Sequence, residues 1–279
     1  MKRIEKPVDP SDPHINFENK VSGMELHENQ NFFIDLDKTI WNWDELKIGA
    51  ADLIDTIKST DREVYFHTDN TLLSRQGYSQ KLNKVGIPVQ EDDILTAGYV
   101  AAQVLVERDI RKVYVAGESG LIEEIQEEDI EITEDADTAV VGLDRSFNYD
   151  KLQKIMNIAR NGGKILFCSS ETVFRRKRGD QPHQGPINKA IEEFGQTEII
   201  GKPSESYRKV FKDYFSYFSG KSVFIGDRFA DVETGNQLGM TTAAVLSGEI
   251  DEEKLRKADE DEVPDYVLTS LNKLRRRII

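Results

Sequence analysis

Asp35 and Asp37 lie one residue apart at the end of an apolar run, in the stretch FFIDLDKTIW (32–41). Side chains alternate across a strand, so both carboxylates leave it on the same face. Open α/β sheets bind ligands at the carboxyl ends of their strands, where this pair stands. Alone, the pair has two readings. It is a reactive or metal-binding couple, or one aspartate caps a turn while the other sits in a salt bridge.

Three more stretches end in polar residues of complementary type. In VYFHTDN (64–70), Thr68 offers a hydroxyl, Asp69 a carboxylate and Asn70 an amide. A threonine in such a place also serves as an ordinary turn or cap residue. In IIGKPS (199–204), Lys202 stands between a short strand and a proline. In SVFIGDRFADVETG (222–235), Gly226 permits a tight turn, Asp227 ends the strand and Asp231 follows four residues on. That spacing lets both carboxylates reach one point across a turn.

Together these residues outline a site for a phosphoryl group. Asp35, Asp37, Asp227 and Asp231 are hard oxygen donors with no histidine or cysteine partners nearby in sequence, which favours Mg2+ over zinc. The chain carries a formal charge of -14, so an anionic substrate needs imported positive charge. A metal supplies it, and Lys202 adds a second cation. Thr68 can donate a hydrogen bond to a phosphoryl oxygen.

The elements that must hold these residues alternate along the chain. Apolar β-type runs fall at 32–36, 63–68, 112–116, 138–143, 164–168, 197–200, 221–226, 241–246 and 265–268. Helical patterns lie between them, as in GAADLIDTIKST, where Leu53, Ile54 and Ile57 form one face. YDKLQKIMNIAR and SYRKVFKDYFSYF behave alike. This alternation predicts parallel α/β sheets, and the strand count favours two modules. The acidic stretch GESGLIEEIQEEDIEITEDAD (117–137) reads as a solvated helix face and turn, and Arg275–Arg277 as a helix end favoured by the dipole.

Composition excludes other classes. No apolar run has the length of a membrane span, and the first twenty residues lack the apolar core of a signal peptide. A single cysteine, Cys168, rules out an internal disulfide framework. A cytoplasmic protein that binds neither nucleic acid nor membrane is expected. GESGL (117–121) lacks the second glycine of a serine-hydrolase elbow, and neither a GxGxxG fingerprint nor a P-loop occurs.

The four motifs, DLDKTI, Thr68, Lys202 and GDRFAD, resemble those of the haloacid dehalogenase superfamily. HTDNTLLSRQGYSQKLNKVGI, DDILTAGYVAAQVL, VYVAGESGLIEEI, AVVGLDRSFNYDKL and IIGKPS extend the resemblance from Asn31 to Leu274. They are similar to the subfamily of 4-nitrophenyl phosphatases, phosphoglycolate phosphatases and pyridoxal phosphatases. The resemblance implies a Rossmann-like parallel-sheet core with an inserted α/β cap. A polar extension would span 1–30, the core 31–108 and 197–279, and the cap 109–196. It implies a Mg2+-dependent phosphomonoesterase acting on a small phosphorylated metabolite, and a homodimer formed through the cap. Asp35 would be the nucleophile, Asp37 the general acid and then base, and Thr68, Asp69, Asn70 and Lys202 the phosphate holders. Mg2+ would bind Asp35, the main-chain carbonyl of Asp37 and Asp227, with Asp231 beside them.

Three departures from the family pattern stand out. Lys38 replaces a glycine, Asp69 replaces an asparagine whose side chain would then turn away, and motif IV is one residue shorter between its acids. In CSSETVFRRKRGDQPH (168–183), Arg175, Arg176, Lys177 and Arg178 can clamp a second anionic group or form a solvated hairpin tip with His183. A scaffold that binds a phosphorylated ligand or partner without turnover is the alternative, favoured only by Lys38 and Asp69.

Overall fold

The computed structural model describes residues 26, 29–42, 45–174, 179–216, 221–246 and 248–278. Most of the N-terminal extension and all of the basic run Arg175–Arg178 lie outside the described residues. The principal elements, in chain order, are β1 (Asn31–Asp35), α1 (Ala50–Lys58), β2 (Glu63–Thr68), α2 (Arg75–Lys84), α3 (Ala97–Glu107), β3 (Lys112–Ala116), α4 (Ser119–Glu127), β4 (Glu131–Ile132), β5 (Thr138–Val141), α5 (Tyr149–Arg160), β6 (Lys164–Phe167), α6 (Gly185–Glu192), β7 (Thr197–Ile199), α7 (Glu205–Tyr214), β8 (Ser222–Gly226), α8 (Phe229–Gln237), β9 (Thr241–Val245), β10 (Tyr266–Leu268) and α9 (Leu271–Ile278). The runs read as strands from the sequence become strands, trimmed by one or two residues where they run into turns.

The chain divides into two compact units. One comprises Met1–His67, Val85–Ile87 and Ser216–Ile279; the other comprises Thr68–Lys84 and Pro88–Phe215. In the first, parallel strands lie in the order β10, β9, β8, β1, β2. Strand β1 therefore has a parallel neighbour on each side, and all five of its residues are buried, as are those of β8. A strand covered on both faces reads as an apolar run rather than an alternation. Burial of Phe32, Phe33 and Ile34 is worth roughly 1.5–3 kcal/mol each, so the acid end of β1 is carried on one of the best-anchored strands of the unit. Helix α9 buries Leu271, Leu274 and Ile278, while Arg275 reaches Asp52 and Thr56 of α1.

The second unit holds its own parallel sheet, ordered β7, β6, β5, β3, β4, with every strand between Lys112 and Ile199. Its core packs Ile155, Ile158 and Ile191 against Tyr114, Val141 and Phe167. Two expectations change here. The acidic stretch does contain a helix, but Glu124 is buried on its apolar side with Leu121 and Ile125, three and one residues away. Glu124 there accepts bonds from Arg75 and Thr96. His183 is not a solvated hairpin residue either. It is buried, with Nε2 3.4 Å from a Glu171 carboxylate oxygen.

Candidate active site

The acid end of β1 sits between two parallel neighbours. Register pairs Ile34 with Ile225 of β8, and Asp35 with His67 of β2. Paired residues on adjacent strands project to the same face. Asp35 is 3% exposed and His67 fully buried, with imidazole Nδ1 3.7 Å from Asp35 Oδ1. The imidazole also stacks on Phe224 of β8, ring centroids 4.1 Å apart. Nothing local in the sequence sets His67 apart from its strand as a site residue, save its place in VYFHTDN, one residue before Thr68 on a strand adjacent to β1.

Beyond Asp35 the chain turns sharply. The Leu36 amide donates to His67 O, and the amides of Ile40 and Trp41 both donate to Leu36 O. Lys38 takes up the turn with φ 60, the left-handed region a glycine would enter freely. The Trp41 indole N–H donates to Asp37 Oδ1 at 3.0 Å, fixing that carboxylate on a nearly buried ring. The buried Thr39 hydroxyl donates to Asp227 Oδ1 at 3.4 Å, so Thr39 ties the first acid motif to the last. A short hairpin then pairs Trp41 with Leu46, and the Lys47 amide donates to Ile40 O. This brings Lys47, which no sequence motif marks, back toward Asp227 and Asp35. Burial pushes the Lys47 ammonium down to about 8, with Lys38 adding to the fall and Asp227 and Asp35 opposing it.

Strand β8 supplies the other acids. Asp227 follows its last residue and is 1% exposed. Besides the Thr39 bond, its Oδ2 accepts from the Glu249 amide at 2.9 Å. That loop can approach only because residue 248 is glycine, since a Cβ there would lie 1.7 Å from Asp227 Oδ2. Asp231, also 1% exposed, lies in the first turn of α8 and accepts from the Arg228 amide at 3.1 Å. An acid at a helix N-terminus is favoured by the dipole. Single donor atoms of Asp35, His67 and Asp231 lie within 4.8 Å of one another. Buried carboxylates so close repel unless a cation joins them, and carboxylate oxygens are what a hard divalent cation takes. The residues present therefore fit a divalent metal.

The remaining motif residues belong to the second unit. Thr68 Oγ1 accepts from the Asn70 amide at 3.1 Å, and Asn70 Oδ1 from the Leu72 amide at 3.0 Å. Consecutive side-chain caps of this kind hold a turn. Lys202 is 1% exposed, and its Nζ lies 3.8 Å from Asp69 Oδ2. The Asp69 side chain thus faces the lysine instead of turning outward. Burial pushes the neighbouring Cys168 thiol far up, with Asp69 adding to the effect, so this cysteine stays protonated.

The profile of haloacid dehalogenase-like hydrolases matches residues 32–131, and a HAD-hydrolase-like profile matches residues 199–274. Among solved structures, the chain is similar to 4-nitrophenylphosphatase from Thermotoga maritima, with TM-score 0.83 and 28% identity over 91% of this chain and 99% of that one. It is 28% identical to the 5'-nucleotidase YutF of Bacillus subtilis, over 87% of this chain and 96% of that protein. It is 26% identical to chloroplastic phosphoglycolate phosphatase 1A of Arabidopsis thaliana, over 87% and 75% respectively. Among the described residues, no helix is long and apolar enough to cross a membrane.

Proposed function

The chain belongs to the haloacid dehalogenase-like hydrolases and is a phosphatase of that superfamily, and from this premise we propose that it is a Mg2+-dependent phosphomonoesterase working through an aspartyl phosphate. The observation that carries this reading is the placement of buried acids Asp35 and Asp227 at the carboxyl ends of adjacent strands β1 and β8, with buried Asp231 in the first turn of α8 and a donor atom within 4.8 Å of one on Asp35.

Asp35 attacks phosphorus through a carboxylate oxygen, and the bond from phosphorus to the leaving oxygen breaks. Asp37, oriented by the Trp41 indole, gives that oxygen its proton. Water then attacks the phosphoaspartate, Asp37 takes the water's proton, and phosphate leaves as Asp35 is restored. Asp35, the Asp37 carbonyl, Asp227 and Asp231 would hold the metal, which would supply positive charge to offset that of the transferring group. Thr68, Asp69, Asn70 and Lys202 are assigned to the phosphoryl group, with the Lys202 ammonium offsetting its charge. Thr39 and the Glu249 amide keep Asp227 in place throughout.

The substrate is a small phosphorylated metabolite. The names of the relatives point to different ones, an aryl phosphate, a nucleotide and phosphoglycolate, so the class is shared and the member is not. Residues 109–196 form the cap in this reading, and pairing through it would give a homodimer. A cytoplasmic setting suits the single buried cysteine.

The test is phosphate release from 4-nitrophenyl phosphate and a panel of phosphorylated metabolites, with and without chelator. Activity should vanish in excess chelator, return with Mg2+, and be absent from Asp35→Asn with the fold retained. Undiminished turnover in Asp35→Asn would sink the mechanism.

A further inference from the structure

We propose that His67 is a nitrogen ligand of the metal site, so that this chain takes Mn2+ and Co2+ in preference to Mg2+ to a degree that carboxylates alone would not give. The inference deepens the metal-dependent reading above and rests on it.

Three observations carry it. First, the parallel register sets His67 beside Asp35 on one face of the sheet. The 3.7 Å between Nδ1 and Oδ1 is within the roughly 4.2 Å that two donors about 2.1 Å from one cation can span. Second, Asp231 joins them, all three donor atoms lying within 4.8 Å and all three residues being buried. The donors gathered there are thus two carboxylates and an imidazole, and closing a spread of at most 4.8 Å to the roughly 4.2 Å that a shared cation spans needs only small side-chain movements. Third, the ring cannot easily swing away. It is stacked on Phe224, and Phe33 and Tyr65 stack on the same face of the sheet, centroids 5.1 Å apart.

The chemistry of selection follows. Mg2+ prefers oxygen and keeps its waters. Imidazole nitrogen adds affinity for first-row transition cations, rising from Mn2+ through Co2+. A histidine that merely oriented Asp35 would alter turnover and leave the choice of ion untouched, so ion choice is the discriminating readout.

The experiment titrates the full-length protein with Mn2+, Co2+ and Mg2+ by calorimetry, for wild type, His67→Leu and His67→Phe, with circular dichroism to verify folding. The Mn2+-to-Mg2+ affinity ratio should fall about tenfold or more in both variants, and the visible spectrum of bound Co2+ should change. Should either variant fail to fold, pulsed electron paramagnetic resonance of wild type with Mn2+ decides. A directly bound nitrogen is expected, and its absence overturns the inference. Unchanged affinity ratios in folded variants also overturn it, while Mg2+-dependent phosphate release by wild type would leave the parent reading standing. Failure of wild type both to bind any of these ions and to release phosphate would remove that reading as well.

Discussion

Lys38 offers the sharpest test of how the first motif is built. It adopts φ 60 and is 9% exposed, immediately after Asp37. A residue with a Cβ in the left-handed region costs roughly 1–2 kcal/mol relative to its right-handed alternatives. Glycine escapes that cost but gives back about 0.4–1 kcal/mol through the greater freedom of its unfolded chain. Lys38→Ala and Lys38→Gly lose the same long stem and the same ammonium, so their difference isolates the backbone. The expected result is that the glycine variant is the more stable of the two, by roughly 0.5–1 kcal/mol. Elsewhere in a helix or strand the order is reversed by a similar amount. The sign is therefore the discriminator, and the gap between outcomes is about 1.5 kcal/mol. Urea unfolding resolves this, and melting should separate the variants by about 2–3 °C. An alanine variant as stable as the glycine variant, or more so, would refute the assignment of strain to this residue. Both variants also remove a positive charge that depresses Lys47.

Other tests address the acids and cations around this turn. Lys47, held down to about 8 mainly by burial, loses its charge as pH rises through that value. In Lys47→Arg the charge persists, so the alkaline fall in kcat/KM should move up by more than about one pH unit; superimposable profiles would discard Lys47 as its source. Asp37→Asn should slow alkyl phosphates far more than 4-nitrophenyl phosphate, whose leaving oxygen needs no proton. Equal losses on both would remove Asp37 from the acid role. Arg75→Met should cost about 1.5–3 kcal/mol by removing the charged partner of the buried Glu124, which keeps only the Thr96 hydroxyl and the amide of residue 75 as donors. Glu124 already has its carboxyl raised by burial, against the pull of Arg75. A folded pKa above the unfolded one means stability is fully present below the unfolded value and is lost as pH climbs, so the deficit should grow from acid toward neutral pH. Arg75→Met with Glu124→Leu should recover most of the loss, and a double variant no more stable than the single would contradict this account.

How far the site was legible follows from the range of the interactions involved. Asp35, Asp37, Asp227 and Asp231 stand out as candidates because strand ends have a local signature: an apolar run, then acids, then a glycine or turn residue. The long-range partners had no such signature. His67 reads as one more residue inside a strand until register sets it opposite Asp35. Lys47 reads as a surface lysine until a hairpin folds it back toward Asp35 and Asp227. Glu124 was lost in a run of acids because helix periodicity tells which face is apolar, but not that one acid on that face meets an arginine from α2. All three escape a local reading for the same reason. A titratable side chain is exposed by default, and only tertiary packing reverses that default.

Oriented donors explain how so acidic a chain can bury carboxylates around the ends of adjacent strands without unfolding there. The cost of burying Asp227 and Asp231 is met locally by oriented donors: the Thr39 hydroxyl and the Glu249 amide for Asp227, and the Arg228 amide for Asp231. Each holds an oxygen in a fixed direction and adds no mobile countercharge. Lys47 contributes a charge nearby but is itself half-starved of solvent. Fixed dipoles of this sort require no rearrangement when a divalent cation arrives and the substrate's charge develops. Had the acids instead been neutralised by close arginines, the cation would have to displace them. The arrangement of amides and hydroxyls around the acids, more than the acids themselves, is what separates a metal-ready site from a structural salt-bridge cluster.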